Sequence, residues 1–385
     1  MQSTNAGGAA AATSWDTTYE WRAVTLLGLG FGLVGLDRWI IASLLPFGMA
    51  ADLGLNVQDG GNVIGALGLA WGVFAIFSGR FADKIGHRKV LIPAILLFSL
   101  LSGLSGMTTG IMGLLVIRGL MGAMEGSYCP TSFTAVAAAS QPRRRGFNQG
   151  LQQSGFALLG LGLGPIIATQ LLRVVPSWHW VFWICAIPGF VVGALLYVVL
   201  REPRDTHGGA LIGATEQGGS WFSVLKSRNI VLGMLALFCA MSCVFVLSAL
   251  VPTYLASYLK LDATQTGIVA SALGFGGFFG QFGMPGMSDR FGRRLMAVVG
   301  FVGSAVSLWI FSHTGADVGA LFAGLFVVSF FCLGNVALIT GPIATEAAPV
   351  GLVSSAIGVV VGAGEIFGGG IAPSIAGFIG NAYGI

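Results

Sequence analysis

A chain of 385 residues that is 55% hydrophobic and 9% charged, with a mean hydropathy of +0.85, is excluded from the ordinary soluble domains. Such domains carry about 25% charged residues, and a soluble protein of this length could not hide so much apolar surface. A net charge of +4, with no basic helix or aromatic–basic face, excludes nucleic acid as a partner and leaves the lipid bilayer as the solvent that fits.

Residues 1–20 hold Asp16 and Glu20, and the only basic residue before the first apolar run is Arg22. That is no cleavable signal, and a disordered cytoplasmic tail is expected over 1–20. Apolar stretches near the roughly 20 residues that cross a bilayer then recur. They fall at 23–45, 61–81, 90–110, 111–138, 147–172, 178–200, 229–257, 265–287, 295–313, 316–341 and 351–380. Six of them fill 21–200, an N-terminal bundle. The polar connection 201–228, with His207 and two Gly-Gly pairs, reads as a cytoplasmic linker, and 229–385 supplies a C-terminal bundle of five helices. The expected class is an all-α membrane protein. The 61 glycines suit helices that pack closely in lipid.

With the N-terminus inside, fifteen of the nineteen Lys and Arg residues lie in or beside inside loops. Arg173 and Lys260 lie outside, and Arg38 and Arg118 within spans. This asymmetry orients a multi-pass protein in the plasma membrane, the inner membrane if the cell is Gram-negative. Five cysteines sit in apolar stretches, without CxxC or histidine at ligand spacing. They read as packing residues, and neither metal nor cofactor is expected.

The two halves repeat. After span two comes Gly79-Arg80-Phe81-Ala82-Asp83-Lys84-Ile85-Gly86-His87-Arg88-Lys89; after span eight comes Gly286-Met287-Ser288-Asp289-Arg290-Phe291-Gly292-Arg293-Arg294. Asp83 maps to Asp289, Gly86 to Gly292 and Arg88 to Arg294, each 206 residues on. Gly150, Gly160, Gly162 and Pro165 map to Gly358, Gly368, Gly370 and Pro373, each 208 on. Such duplication marks secondary transporters. The copy of span six would begin near residue 386, so either the chain is truncated before a twelfth helix or its C-terminus lies outside; truncation is the expectation, because span eleven would otherwise lose a neighbour for its Gly-rich face.

The Gly-x-x-x-Asp-x-x-Gly-x-Arg-Lys loop with its weaker copy, led by Pro285 in place of Gly, resembles the signature of the major facilitator superfamily. The resemblance covers nearly the whole chain and implies two six-helix bundles. Asp37-Arg38 in span one, with Arg118 and Glu125 in the Arg118–Pro130 stretch of span four, resembles its anion:cation symporter branch. That branch includes sialin, the vesicular glutamate transporters and bacterial carriers of sugar acids and aromatic acids. The resemblance links the matching arginines and acids to anion binding and proton coupling. Span seven lacks the arginine that some vesicular relatives use there, which argues against vesicular glutamate transport.

Ionisable residues inside a membrane are costly and point to function. Asp37 lies about 12 Å, and Arg118 about 10 Å, below the outer ends of their spans at 1.5 Å per residue, so the two are expected to pair. Glu125, two turns after Arg118, shares its face about 10 Å deeper. Glu365, near the middle of span eleven, has no nameable partner. Arg38 or Arg118 offers a planar fork for a carboxylate, while Asp37, Glu125 and Glu365 are candidates for carrying protons. Asn148, Gln152, Gln153 and Asn335 could bind hydroxyls of a sugar acid; Trp39 and Tyr128 could face an aromatic acid. Gly79, Asp83, Gly86, Arg88, Asp289, Gly292 and Arg294 form conformational loops, with Asp83 bracing span two against span eleven. The function expected is proton-coupled symport of a small organic anion by a monomer. Efflux of drugs or metabolites is the alternative, although two buried arginines would repel cations. No Ser/His/Asp set, metal cluster, phosphate loop or filter repeat supports an enzyme or a channel.

Overall fold

The computed structural model describes residues 15–44, 48–55, 57–202, 223–261 and 263–372, with 375 and 379. Within the bilayer every backbone N–H and C=O must be satisfied internally, and helices meet that demand. They are α1 (Thr17–Leu44), α2 (Val57–Ile85), α3 (Arg88–Ser105), α4 (Ile111–Ala139) and α5 (Arg145–Phe156, continued by Ala157–Leu163 and Gly164–Val174). Then follow α6 (Trp178–Val199), α7 (Arg228–Thr253, continued by Tyr254–Tyr258), α8 (Ala263–Phe291) and α9 (Arg293–Ser312). The described fold ends with α10 (Val318–Leu338, continued by Ile339–Ile343 and Ala344–Ala347) and α11 (Val353–Ala363, continued by Gly364–Ile371). By length and composition, 8 of the described helices can cross a membrane, or 9 if the bent α5 counts as one span. In α4 and α8, glycine and polar residues dilute the apolar character. The continuations of α5, α7, α10 and α11 open with π-helical turns, a departure often found at functional sites.

The expected tail over 1–20 needs correction at its end. Residues 1–14 lie outside the described residues, but Thr17–Glu20 form the first turn of α1. Glu20 is fully buried. It accepts hydrogen bonds from Arg144 Nη2 at 2.6 Å, Asn148 Nδ2 at 2.6 Å and the Gln141 backbone N–H at 3.1 Å. A carboxylate so well partnered fixes the turn that the polar composition concealed. Most of the expected linker, 203–222, also lies outside the described residues.

Small residues set how closely the helices approach. A Cβ on Gly122 or Gly126 of α4 would overlap the Leu67 and Trp71 carbonyls of α2. Between the bundles, Gly79 of α2 lies against the Ser354 carbonyl, Gly358 of α11 against Ala75, and Gly150 of α5 against the Gln281 carbonyl. Such contact replaces the hydrophobic drive that helices lack in lipid.

The duplicated loops close one end of the molecule. Gly86 and Gly292 adopt φ of +105° and +93°, a left-handed turn open to glycine at little cost. Asp83 then caps α11: its carboxylate accepts from the backbone N–H groups of Ser354 at 3.2 Å and Ser355 at 2.9 Å, and from Ser355 Oγ at 2.6 Å. Asp289 caps α5, accepting from the N–H groups of Gly146 at 3.1 Å and Phe147 at 2.9 Å. Each aspartate belongs to one bundle and meets the positive end of a helix in the other. Arg88 donates to the Tyr197 carbonyl at 2.7 Å, whereas Arg294 is exposed.

Candidate functional site

Above the closed loop end, a narrow cavity lies between the bundles. Its wall is mostly apolar and strongly aromatic: Phe31 and Trp39 from α1, Trp71 from α2, Phe133 from α4, Phe156 from α5 and Phe245 from α7. Polar groups are few. Gln153, Ser248, Gln281, Thr340 and Glu365 supply them, beside Cys129.

Glu365 sits at the start of the π-helical continuation of α11 and meets Arg38 of α1. Arg38 Nη2 donates to Oε2 at 2.9 Å and Nη1 to Oε1 at 3.3 Å. The pair is 5% and 4% exposed. The guanidinium carbon lies 5.6 Å from the Trp71 ring centre and 5.2 Å from that of Phe245, so aromatic faces hold the cation on two sides. Arg38 Nε has no hydrogen-bond partner. This bidentate pair joins the bundles, with Glu365 in the cavity wall and Arg38 behind it.

The expected carboxylate pairing of Asp37 with Arg118 is not formed. Arg118 Nη1 instead donates to the Asp37 backbone carbonyl at 2.8 Å, and the Asp37 carboxylate accepts from Ser102 Oγ at 2.7 Å. Arg118 is fully buried, lies 5.8 Å from the Phe182 ring centre, and does not line the cavity. Equal depth on two helices was a sound estimate; depth alone does not tell which way a side chain turns. Glu125 is fully buried, and neither of its carboxylate oxygens has a hydrogen-bond partner. It stands within electrostatic reach of Asp37, Arg118, Arg38 and Glu365.

The amides divide. Gln153 lines the cavity, accepting from Thr340 Oγ1 at 2.8 Å and donating to the Ala337 carbonyl at 3.3 Å. The other three do not line it. Asn148 serves Glu20 and Ser140, Gln152 donates to Ser132 Oγ at 3.0 Å, and Asn335 packs on Gly300 and donates to the Ala297 carbonyl at 3.5 Å. They join helices to one another. Tyr128 is buried, with its hydroxyl 3.3 Å from the Leu27 carbonyl, while Trp39 does face the cavity. The sequence reading missed Trp71, Phe245, Ser248, Gln281 and Thr340. None breaks an apolar pattern strongly enough to be noticed, and only the approach of α7, α8 and α10 to the N-terminal bundle gathers them.

Two helical bundles, tied at one end and parted around a cavity with a buried charge pair, form the architecture of a secondary transporter. The model of the Major Facilitator Superfamily matches residues 27–285 and 233–385, and the chain belongs to that superfamily. It is a multi-pass membrane transporter, not an enzyme. The sialic acid transporter NanX of Escherichia coli is 27% identical over 370 residues, 93% of this chain and 86% of that one. The 4-hydroxybenzoate transporter PcaK of Pseudomonas aeruginosa is 24% identical over 351 residues, 82% of this chain and 77% of that one. The fold is similar to that of the human organic anion transporter MFSD10, with a TM-score of 0.68, 17% identity and 95% of each chain covered.

Proposed function

We propose that the protein is a proton-coupled symporter of a small organic anion, working by alternating access with its N-terminus and the two capped loops on the cytoplasmic side of the plasma membrane. The observation that carries this reading is the buried Arg38–Glu365 pair, whose acid stands in the wall of a mostly apolar cavity. An anion enters such a space only where a cation meets it. Arg38 is that cation, and Glu365 occupies the fork a substrate carboxylate would take. Arrival of the substrate frees Glu365, which then takes a proton because a lone buried carboxylate is unfavourable. The site now holds one arginine, one substrate anion and a neutral acid, and its net charge is unchanged by loading. Glu125, with no partner for either oxygen, is assigned as a second proton acceptor. Arg118 and Asp37 tune it from behind the cavity wall. Release to the cytoplasm requires the Asp83 and Asp289 caps to part. Transport of organic acids by the relatives agrees with this reading.

The test is uptake of radiolabelled sugar acids and aromatic acids into proteoliposomes under an inward proton gradient, for the wild type and for Glu125→Gln. Wild-type uptake should follow the gradient. Glu125→Gln should lose most of the gradient-driven uptake, by at least tenfold, while still exchanging labelled for unlabelled acid. Equal uptake with and without the gradient would remove the proton from the mechanism.

A further inference from the structure

Resting on that reading, we infer that the anion is an aromatic carboxylate with few hydroxyl groups rather than a polyhydroxylated sugar acid. Hydrogen bonds inside the cavity must balance. Each hydroxyl carried from water into a closed site must find a partner, or its loss of solvation goes uncompensated. A sugar acid brings several hydroxyls, and each is a donor in search of an acceptor.

The cavity offers few such acceptors. The Gln153 amide oxygen is engaged with Thr340, and Glu365, once displaced from Arg38 and protonated, keeps a single carbonyl acceptor. Four lining side chains have an unpartnered buried polar atom: Trp39 Nε1, Trp71 Nε1, Ser248 Oγ and Gln281 Oε1. The two indoles are donors only, and only Gln281 and Ser248 offer acceptor oxygens. Counting the freed Glu365, the site can therefore satisfy two or three substrate hydroxyls, fewer than a polyhydroxylated sugar acid brings.

What it offers in quantity is ring surface. Phe31, Trp39, Trp71, Phe133, Phe156 and Phe245 line one space. Phe31 already packs edge-on with Phe133 at 5.1 Å between ring centres, and Trp39 lies 6.3 Å from Phe245. A planar aromatic body entering this space would meet them by the same stacked and edge-to-face contacts. Trp71 and Phe245 also flank the Arg38 guanidinium, so a ring bearing a carboxylate would meet cation and aromatic faces together. The unpartnered Gln281 oxygen suits a single phenolic hydroxyl.

The experiment measures ligand-induced thermal stabilisation of the purified wild-type protein in detergent, titrated with 4-hydroxybenzoate, glucuronate and 4-hydroxybenzyl alcohol. A ligand bound only by the folded state raises the melting temperature in proportion to its occupancy. The expected result is stabilisation by 4-hydroxybenzoate at a concentration at least tenfold below that needed for glucuronate, with little effect from the alcohol. Glucuronate acting at equal or lower concentration overturns the aromatic assignment and leaves the anion reading standing. The alcohol acting as well as the acid overturns the anion reading itself. No stabilisation by either acid rejects both.

Discussion

The two halves of this transporter repeat one scaffold but not one chemistry. At the loop end the repeat is close: Asp83 and Asp289 lie in the last turns of matching helices, precede matching positive-φ glycines and cap helices in the opposite bundle. In the membrane interior the halves diverge. The N-terminal half supplies Asp37, Arg38, Arg118 and Glu125; the C-terminal half supplies Glu365. The caps are two copies of one tie, whereas the Arg38–Glu365 pair has no counterpart among the described residues. A duplicated scaffold can rock about its pseudo-symmetry axis with either end closed. Only the unduplicated contact can make that rocking depend on what occupies the cavity.

Breaking the unique tie should have the largest effect. Arg38→Gln leaves Glu365 buried without its partner, a change that typically costs about 3–5 kcal/mol. Uptake of acid should fall below about 1% of wild type, and the melting temperature should drop. The double variant Arg38→Gln/Glu365→Gln removes both charges and should recover the melting temperature without recovering uptake. Recovery of uptake in the double variant would make the pair a structural brace and give the anion to another residue. Arg118→Gln provides the contrast within one bundle. Because Arg118 touches the Asp37 backbone and not the cavity, its loss should change acid affinity less than twofold while slowing turnover.

That contrast also shows how much could be read in the residues. The helical class, the duplicated loops and the buried charges were legible, because a charge or an Asp-x-x-Gly turn stands out against an apolar background. The bracing of α2 against α11 by Asp83 could likewise be inferred from the repeat. The partners could not. Arg38 and Glu365 are 327 residues apart, and which arginine faces an acid depends on side-chain direction. Asn148 shows the same limit. Its amide at the start of a span suggested a ligand, yet it completes the shell of Glu20, a residue whose sequence context suggested only a tail. Aromatic lining residues were hidden for the opposite reason, being indistinguishable from lipid-facing or packing residues until the helices are assembled.

The repeated ties are the next place to test the comparison. Removing the charge of a helix-capping carboxylate typically costs about 0.5–2 kcal/mol. Asp83 accepts three hydrogen bonds and is 2% exposed, whereas Asp289 accepts two from the backbone, pairs with Arg293 and is 9% exposed. Water can replace more of what Asp289 provides. Asp83→Asn should therefore lower uptake about tenfold and Asp289→Asn about threefold, a difference of under 1 kcal/mol. Labelling of a single cysteine placed on the cavity wall, by a thiol reagent applied from the loop side, should rise in the same order. Equal effects would mean that the caps are energetically as symmetric as their sequences.

The smallest expected effect lies where the copies differ in their accessories. Glu202, just after α6, accepts from the backbone N–H of His87 at 2.7 Å and of Arg88 at 3.3 Å, and lies 3.2 Å from His87 Nδ1. His87 Nε2 in turn lies 2.9 Å from Ser354 Oγ, so the carboxylate supports the Asp83 cap from outside. Partial burial pushes the Glu202 carboxyl up, but the His87 and Arg88 contacts outweigh it and hold the group down to about 2. A folded-state pKa below the ordinary 4.5 means a contribution present in full above about pH 4.5 and lost as pH falls toward 2. Since the side chain is 24% exposed, solvent screening reduces that contribution to roughly 1 kcal/mol. Glu202→Gln should thus melt slightly below wild type at pH 7, and the gap should close between about pH 4.5 and pH 2. A gap that persists undiminished to the lower limit would show that the side chain acts through its shape rather than its charge. The asymmetry between the two caps would then rest on Ser354 and Ser355 alone.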